Sequence, residues 1–518
     1  MKKIGTLCIP VVFVIFFSCS KQSETVTQWP YGVNYEIFVR SFADSDGDGI
    51  GDFNGLTAKL DYLKELGIGG IWLMPIMPSP TYHKYDVIDY KAVDKEYGSE
   101  EDFQRLVEEA HKRGIRILVD LIVNHTGSAH PWFKSAMEGK DSPYRNYYVW
   151  ANKDSIRQEI SKKSTSLDSD NITQWHPVNG DTLAEHYYGF FWGGMPDLNL
   201  DNPLVRQEFV DIGNYWLTDM HVDGFRLDAA KHIFPTERAA DNHAFWIWFR
   251  NEMQKINPDV YLVGEVWSNA ADVAPYLKGL PALFNFDMGY AITRVVQAGK
   301  DTVGLIHTYA EIDNFYTQST NEFIDATFLK NHDQNRILSE LGGDLNKARV
   351  AAAILLTLPG TPYLYYGEEI GMLGVKPDEY IREPFIWDFD KQDKMQTTWE
   401  VPVYSNDHTV TPLTKQQESD SSIYHFYRQF IHYRNASKIL TYGRIEEAPL
   451  AIQEVVSFLR DKDGEKRLVL HNVSDVAITI ELTGPLAQFK KVEFDSSHSS
   501  ELKNDELNLP AYASVILK

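Results

Sequence analysis

The sequence predicts an α/β protein: a parallel (β/α)8, or TIM, barrel with a subdomain inserted after its third strand and a C-terminal antiparallel β-sandwich. Three observations predict it. From residue 29, short runs rich in β-branched and aromatic residues alternate with helix-period stretches, and eight such units follow in order. About 80 residues rich in Tyr, Trp, Asn, Asp, Gly and Ser interrupt the third unit, too long for a plain connection. Past residue 436 the helical period gives way to short alternating runs separated by turn residues.

Taken in order, the chain starts with Lys2 and Lys3 and a mostly apolar stretch from Ile4 to Phe17. That stretch is shorter than the roughly 20 residues needed to span a bilayer, which suggests a cleaved targeting segment rather than an uncleaved anchor. "FFSC" resembles a bacterial lipobox, with Phe16 where an aliphatic residue is usual. On that reading residues 1–18 are a lipoprotein signal peptide, Cys19 carries the lipid and 19–28 is a linker. The protein would then sit at a bacterial cell envelope, facing periplasm or exterior and meeting the membrane only through this anchor. Cys8 and Cys19 are the only cysteines, so the mature chain would have no free thiol and no disulfide.

The strand candidates are 33–39, 68–74, 115–123, 224–228, 260–266, 282–288, 325–331 and 362–368. Helical patterns at 56–66, 100–113, 203–219 and 346–357 lie among them, and a last one at 421–435 follows. The barrel thus spans 29–436, with the inserted subdomain at about 126–200. The runs "VVSFLRD", "KRLVLHNV", "AITIEL", "KKVEF" and "ASVILK" make 437–518 the β-sandwich. A net charge of −23 argues against nucleic acid and against an anionic membrane surface as partners. A neutral polar substrate is compatible with it, and the chain is expected to be a monomer.

In a parallel barrel the C-terminal strand ends form the active face. "GFRLD" (224–228) places Arg226 and Asp228 on one side of a core strand, because side chains alternate. Strand 3 ends in Asp120 and is followed by Asn124 and His125; strand 5 ends in Glu265, and strand 7 is followed by His332 and Asp333. Singly, each is an ordinary cap or turn residue. Together, Asp228, Glu265 and Asp333 crowd like charges on one rim, which is costly unless used. Two carboxylates suffice for glycoside hydrolysis, one attacking the anomeric carbon and one protonating the leaving oxygen. The neighbouring Asp228 and Asp333 should raise the pKa of Glu265, and Arg226 should hold Asp228 ionised.

"DLIVNH" (120–125), "GFRLDAAKH" (224–232), "GEVW" (264–267) and "FLKNHDQ" (328–334) resemble, in order and spacing, the four conserved regions of the α-amylase family of glycoside hydrolases. "MPDLN" (195–199) resembles its fifth short motif, and with "NHDQNR" and "IREPFIW" it is similar to bacterial enzymes intermediate between oligo-1,6-glucosidases and neopullulanases. The resemblance implies Asp228 as nucleophile, Glu265 as acid/base and Asp333 as transition-state stabiliser. It implies that His125, Arg226 and His332 line the sugar subsite at the cleavage point and that Tyr85 stacks on the sugar. Asp86 and Arg382 would pair near the non-reducing end. Ala229, where valine is usual in α-1,6 enzymes, and Lys231-His232 resemble the α-1,4 pattern. The expected activity is retaining cleavage of α-1,4-glucosidic bonds in starch, maltodextrin or maltooligosaccharides. The alternatives are a glucanotransferase, a trehalose-forming isomerase or a non-catalytic glucan-binding lipoprotein.

"DSDGDGIGD" (44–52) copies positions 1, 3, 5, 6, 7 and 9 of a calcium loop, with Asp44, Asp46, Asp48 and Asp52 as side-chain ligands and the Ile50 carbonyl between them. Gly55 stands where an EF-hand has glutamate, so a lone Ca2+ loop is expected. Asn124, Asp197 and the His232 carbonyl resemble the ligands of a second family calcium.

Overall fold

The computed structural model describes residues 25–161, 173–180, 185–389 and 393–518. Residues 1–18, expected as a signal peptide, and Cys19 lie outside the described residues. Eight parallel strands form the barrel: β1 Val33–Ile37, β2 Ile68–Leu73, β3 Arg116–Leu121, β4 Gly224–Leu227, β5 Tyr261–Gly264, β6 Ala282–Asn285, β7 Ile324–Thr327 and β8 Tyr363–Tyr365. β1 pairs with both β2 and β8, and a parallel bridge between Phe328 and Tyr363 links the β7 end to β8, so the ring closes. All eight fall within the runs read from sequence or within one residue of them, because each is an apolar run that the barrel buries on both faces. At Gly224 a Cβ would stand 1.9 Å from the Tyr261 carbonyl oxygen, so β4 approaches β5 closely only because glycine is there.

The predicted helix 203–219 is α-helical over Pro203–Asn214 and widens to a π-turn over Tyr215–Asp219. In the insertion, Trp150–Asn152, Trp175–Pro177 and Glu185–Tyr188 form a small antiparallel sheet. A bridge between His125 and Asp197 ties this subdomain to the barrel mouth.

Residues 26–28, read as linker, are held to the barrel instead. The Val26 and Thr27 amides donate to the Asn435 carbonyl, and the Gln28 amide to the Tyr442 hydroxyl. Beyond the barrel helix Ile423–Ala436, a short helix, Lys438–Tyr442, precedes the first C-terminal strand.

The C-terminal unit is two antiparallel sheets of five and three strands. Its five-stranded sheet is buried on both faces. Val455, Leu468, Leu470, Val515 and Leu517 pack toward the smaller sheet, while Val456, Phe458, Val469 and Ile516 join the barrel core. The hairpin Glu501–Lys503/Glu506–Leu509 was not among the expected strands. Its charged outer face hides the apolar alternation of Leu502, Leu507 and Leu509. Asn504 and Asp505, both at positive φ, are the two-residue turn that marks it.

Candidate active site

The three carboxylates open onto one cavity of about 390 Å³ at the barrel mouth, lined also by Tyr85, His125, Trp267 and Arg382 from the barrel and Phe191, Trp192 and Met195 from the insertion. Arg226 is the hub beneath it. The guanidinium is fully buried over the Trp72 ring, at 4.9 Å from the ring centroid. Its Nη1 donates to Asp228 Oδ1 at 2.7 Å and to Asp120 Oδ1 at 2.9 Å, while Nη2 lies 2.9 Å from Glu265 Oε2. Nucleophile and acid candidates therefore sit on two arms of one cation. Asp120 comes from the facing residue of β3, in register with Arg226.

Burial raises the pKa of Glu265 to about 7; Arg226 opposes this, while Asp228 and Asp333 add to it. Desolvation is thus the main cause, ahead of the neighbouring charges that the sequence suggested. The Ala229 amide donates to Glu265 Oε2 at 3.2 Å and fixes its orientation. That amide is aimed by a left-handed turn at Ala229, with φ of 47°.

Asp333 is held the opposite way. Burial pushes its pKa up, but His332 at 3.1 Å and Arg382 at 2.9 Å overcome this and keep the carboxyl ionised. The imidazole of His332 is raised to about 10 because Asp333 and Glu36 flank it and outweigh its own burial. Tyr85 lies parallel to the His332 ring, centroids 5.5 Å apart, and its hydroxyl bridges His332 and Asp120.

Of the expected sugar-binding residues, Tyr85, His125 and Arg382 reach the cavity. Arg226 and His332 are wholly buried under its floor, so they act through the carboxylates they hold. Lys231 Nζ donates to the Trp267 carbonyl at 2.6 Å, and His232 stacks on Phe190 at 3.9 Å. The expected pairing of Asp86 with Arg382 does not occur. Asp86 accepts from Ser79 and Thr81, and Arg382 pairs with Asp333 and Asp378. Asp378 stands one helical turn before Arg382, at the start of the short helix Asp378–Ile381, and supplies the nearer carboxylate.

Sequence reasoning placed Asp120 at a strand end without giving it a role, and missed Glu36 and Asp378 as site residues. Glu36 had the same signal as Arg226 and Asp228, a charge within an apolar strand. Asp378 had one too, its place four residues before Arg382, which one helical turn brings together.

In the acidic loop, oxygens of Asp44, Asp46 and Asp48 lie within 4.8 Å of one another. Backbone amides of residues 46–50 turn onto these carboxylates and shape the loop. Asp52 departs from the expected ligand set. It caps the helix Phe53–Ala58, accepting from the Gly55 amide at 2.8 Å and from Ser45.

The second group also converges. Asn124 Nδ2 is 2.6 Å from the His232 carbonyl and 3.3 Å from Asp197 Oδ2. His125 meets oxygens at both ring nitrogens, the Asn124 Oδ1 and the Tyr85 carbonyl, while burial lowers its pKa. A neutral imidazole has one N–H. Turning the Asn124 amide over serves His125 better and leaves three oxygens facing each other.

A carboxyl whose burial raises its pKa to about 7, beside a second carboxyl on the same cavity at the C-terminal end of a parallel barrel, is the equipment of a glycosidase. Residues 36–443 match the family model described as "Alpha amylase, catalytic domain", and 455–516 match "Alpha-amylase SusG C-terminal domain". Alpha-amylase 3 of Dictyoglomus thermophilum is 42% identical over 93% of this chain and 92% of its own length. A 4-alpha-glucanotransferase of Thermotoga neapolitana is 34% identical over 87% and 97%. The crystal structure of an alpha-amylase from H. orenii superposes with a TM-score of 0.85 at 44% identity, covering 94% of this chain and 99% of that one. The chain belongs to the α-amylase family, and it is a glycosidase of that family.

Proposed function

We propose that this enzyme hydrolyses α-1,4-glucosidic bonds of starch-type glucans with retention. The observation that carries the reading is the shared hub: one guanidinium holds Asp228 and Glu265 on the same cavity. Asp228 attacks the anomeric carbon while Glu265 gives its proton to the departing glycosidic oxygen. Positive charge grows on the ring, and ionised Asp333 faces it. Glu265, now a carboxylate, then takes a proton from water, which displaces Asp228 and restores the original anomer.

Asp228→Asn is expected to lower kcat on maltoheptaose by at least about a thousandfold with an unchanged melting curve. Activity within tenfold of the parent would refute the assignment, as would β-configured first product by NMR. A second reading, glucan transfer by the same carboxylates, is favoured by the Thermotoga relative. Longer chains appearing ahead of free reducing ends would establish it.

The donor set of Asp44, Asp46 and Asp48 fits a calcium ion, which would neutralise three adjacent carboxylates and supply loop rigidity rather than chemistry. The oxygens of Asn124, Asp197 and His232 fit a second. Chelation should lower Tm in the parent, and Asp46→Ala should remove most of that effect; an unaltered Tm with chelator argues against both. We also propose that Cys19 anchors the enzyme at a bacterial envelope, supported by the lipobox-like "FFSC". Radiolabelled palmitate failing to incorporate would exclude this.

A further inference from the structure

Glu36 is a charged residue inside β1, and only 2% of it is exposed. It pairs in register with Trp72 of β2 and Tyr365 of β8, which fix its place in the barrel wall. It does not line the catalytic cavity. Among the described residues, no lysine or arginine lies within ion-pair reach of its carboxylate. Its cationic partner is His332, whose Nδ1 meets Glu36 Oε1.

The other ring nitrogen of His332, Nε2, stands 3.1 Å from Asp333 Oδ2 and 2.6 Å from the Tyr85 hydroxyl. A carboxylate only accepts hydrogen bonds. With a carboxylate at each nitrogen, both nitrogens must carry hydrogen, so the ring is a cation by geometry. Burial pulls its pKa down, but Asp333 and Glu36 overcome this and raise it to about 10. The remaining charges around the ring come from other elements. Asp120 of β3 reaches it through the Tyr85 hydroxyl, and Glu265 after β5 feels its charge. Arg382 donates to the His332 carbonyl, and Arg226 of β4 lies beyond Trp72. Without the charge of Glu36, the ring keeps one of the two carboxylates that hold its proton. A neutral ring with its hydrogen on Nδ1 would turn a lone pair on Asp333. It would then repel the carboxylate that must face the positive charge growing on the sugar.

We propose that Glu36 is a positioning residue of the reaction: it keeps His332 charged, and through that ring it holds Asp333 against the oxocarbenium-like sugar. This role rests on the glucan-hydrolase reading above. The test uses the full chain with isotope-labelled histidine and nitrogen NMR, the His332 signal being the one that His332→Gln removes. The parent ring should stay protonated to at least about pH 8. Glu36→Gln keeps the shape and an acceptor oxygen but not the charge, and its His332 should titrate at least about one pH unit lower. Glu36→Asp keeps the charge and should titrate close to the parent. On a chromogenic maltotrioside, Glu36→Gln should lower kcat at least tenfold at neutral pH with KM within threefold. That deficit should shrink at least threefold by about pH 5, where the ring is protonated regardless. In a His332→Gln background the same substitution should cost less than twofold, because its effect passes through the ring. A parent ring that is deprotonated at neutral pH, an unshifted titration in Glu36→Gln, or a deficit independent of pH overturns the role. The titration is read without substrate. A parent that leaves the maltotrioside uncut therefore counts against the hydrolase reading, while the titration still decides whether Glu36 holds the proton.

Discussion

Glu265 keeps its proton because of where it stands. Its burial lifts the pKa to about 7 against the pull of Arg226, and general-acid catalysis requires the protonated form. As pH rises through this value the acid is lost. kcat/KM should therefore fall along an alkaline limb with an apparent pKa of about 7; a limb below pH 5.5 would contradict this. Asp228, Glu265 and Asp333 were legible in the sequence because three carboxylates at the C-terminal ends of barrel strands crowd one rim, which needs a reason. The support around them was less so. Asp120 was visible at the end of β3, but its bond to Arg226 depends on the cross-strand register of those two residues. The absent Asp86–Arg382 pair has a local reason, since Asp378, four residues before Arg382 on the same helical turn, supplies the carboxylate instead.

At the scale of an element, the sequence makes all four aspartates of the loop 44–52 ligands of one calcium ion, yet the structure divides the labour. Three aspartates converge, and the fourth caps a helix. An N-cap aspartate contributes about 1 kcal/mol. Asp52→Ala should therefore lose about that much stability in urea titration with chelator present as well as absent. A loss seen only with calcium would return Asp52 to the ligand set. The barrel strands were legible as apolar runs, whereas the hairpin at 501–509 was not, because only its inner leucines are apolar. Its Asn504-Asp505 turn was the available signal.

For the whole molecule, the seam between barrel and C-terminal sheets is fastened by a buried cation. Arg460 donates to the carbonyls of Thr357, Leu440 and Gly443, and burial depresses its pKa to about 9, with Arg434 adding to the effect. Arg460→Met orphans three carbonyls and should cost about 3 kcal/mol or more. Differential scanning calorimetry should show a lower Tm while maltotrioside turnover at 25 °C is retained. An unchanged Tm would mean that the seam does not depend on this residue. The two-domain plan could be read from the change in hydrophobic period near residue 436. The burial of both faces of the five-stranded sheet could not, because it depends on what the sheet meets.

β1 pairs with β8 through Asn34, Tyr35 and Glu36 against Tyr363, Leu364 and Tyr365, so its second neighbour is the last barrel strand to be made. A ribosome adding about 5–20 residues each second takes on the order of tens of seconds to make the intervening chain. Throughout that interval the nascent barrel has two raw edges, each able to recruit a wrong partner. Elongation rate and holding chaperones should therefore govern the yield of active enzyme more than its final stability does.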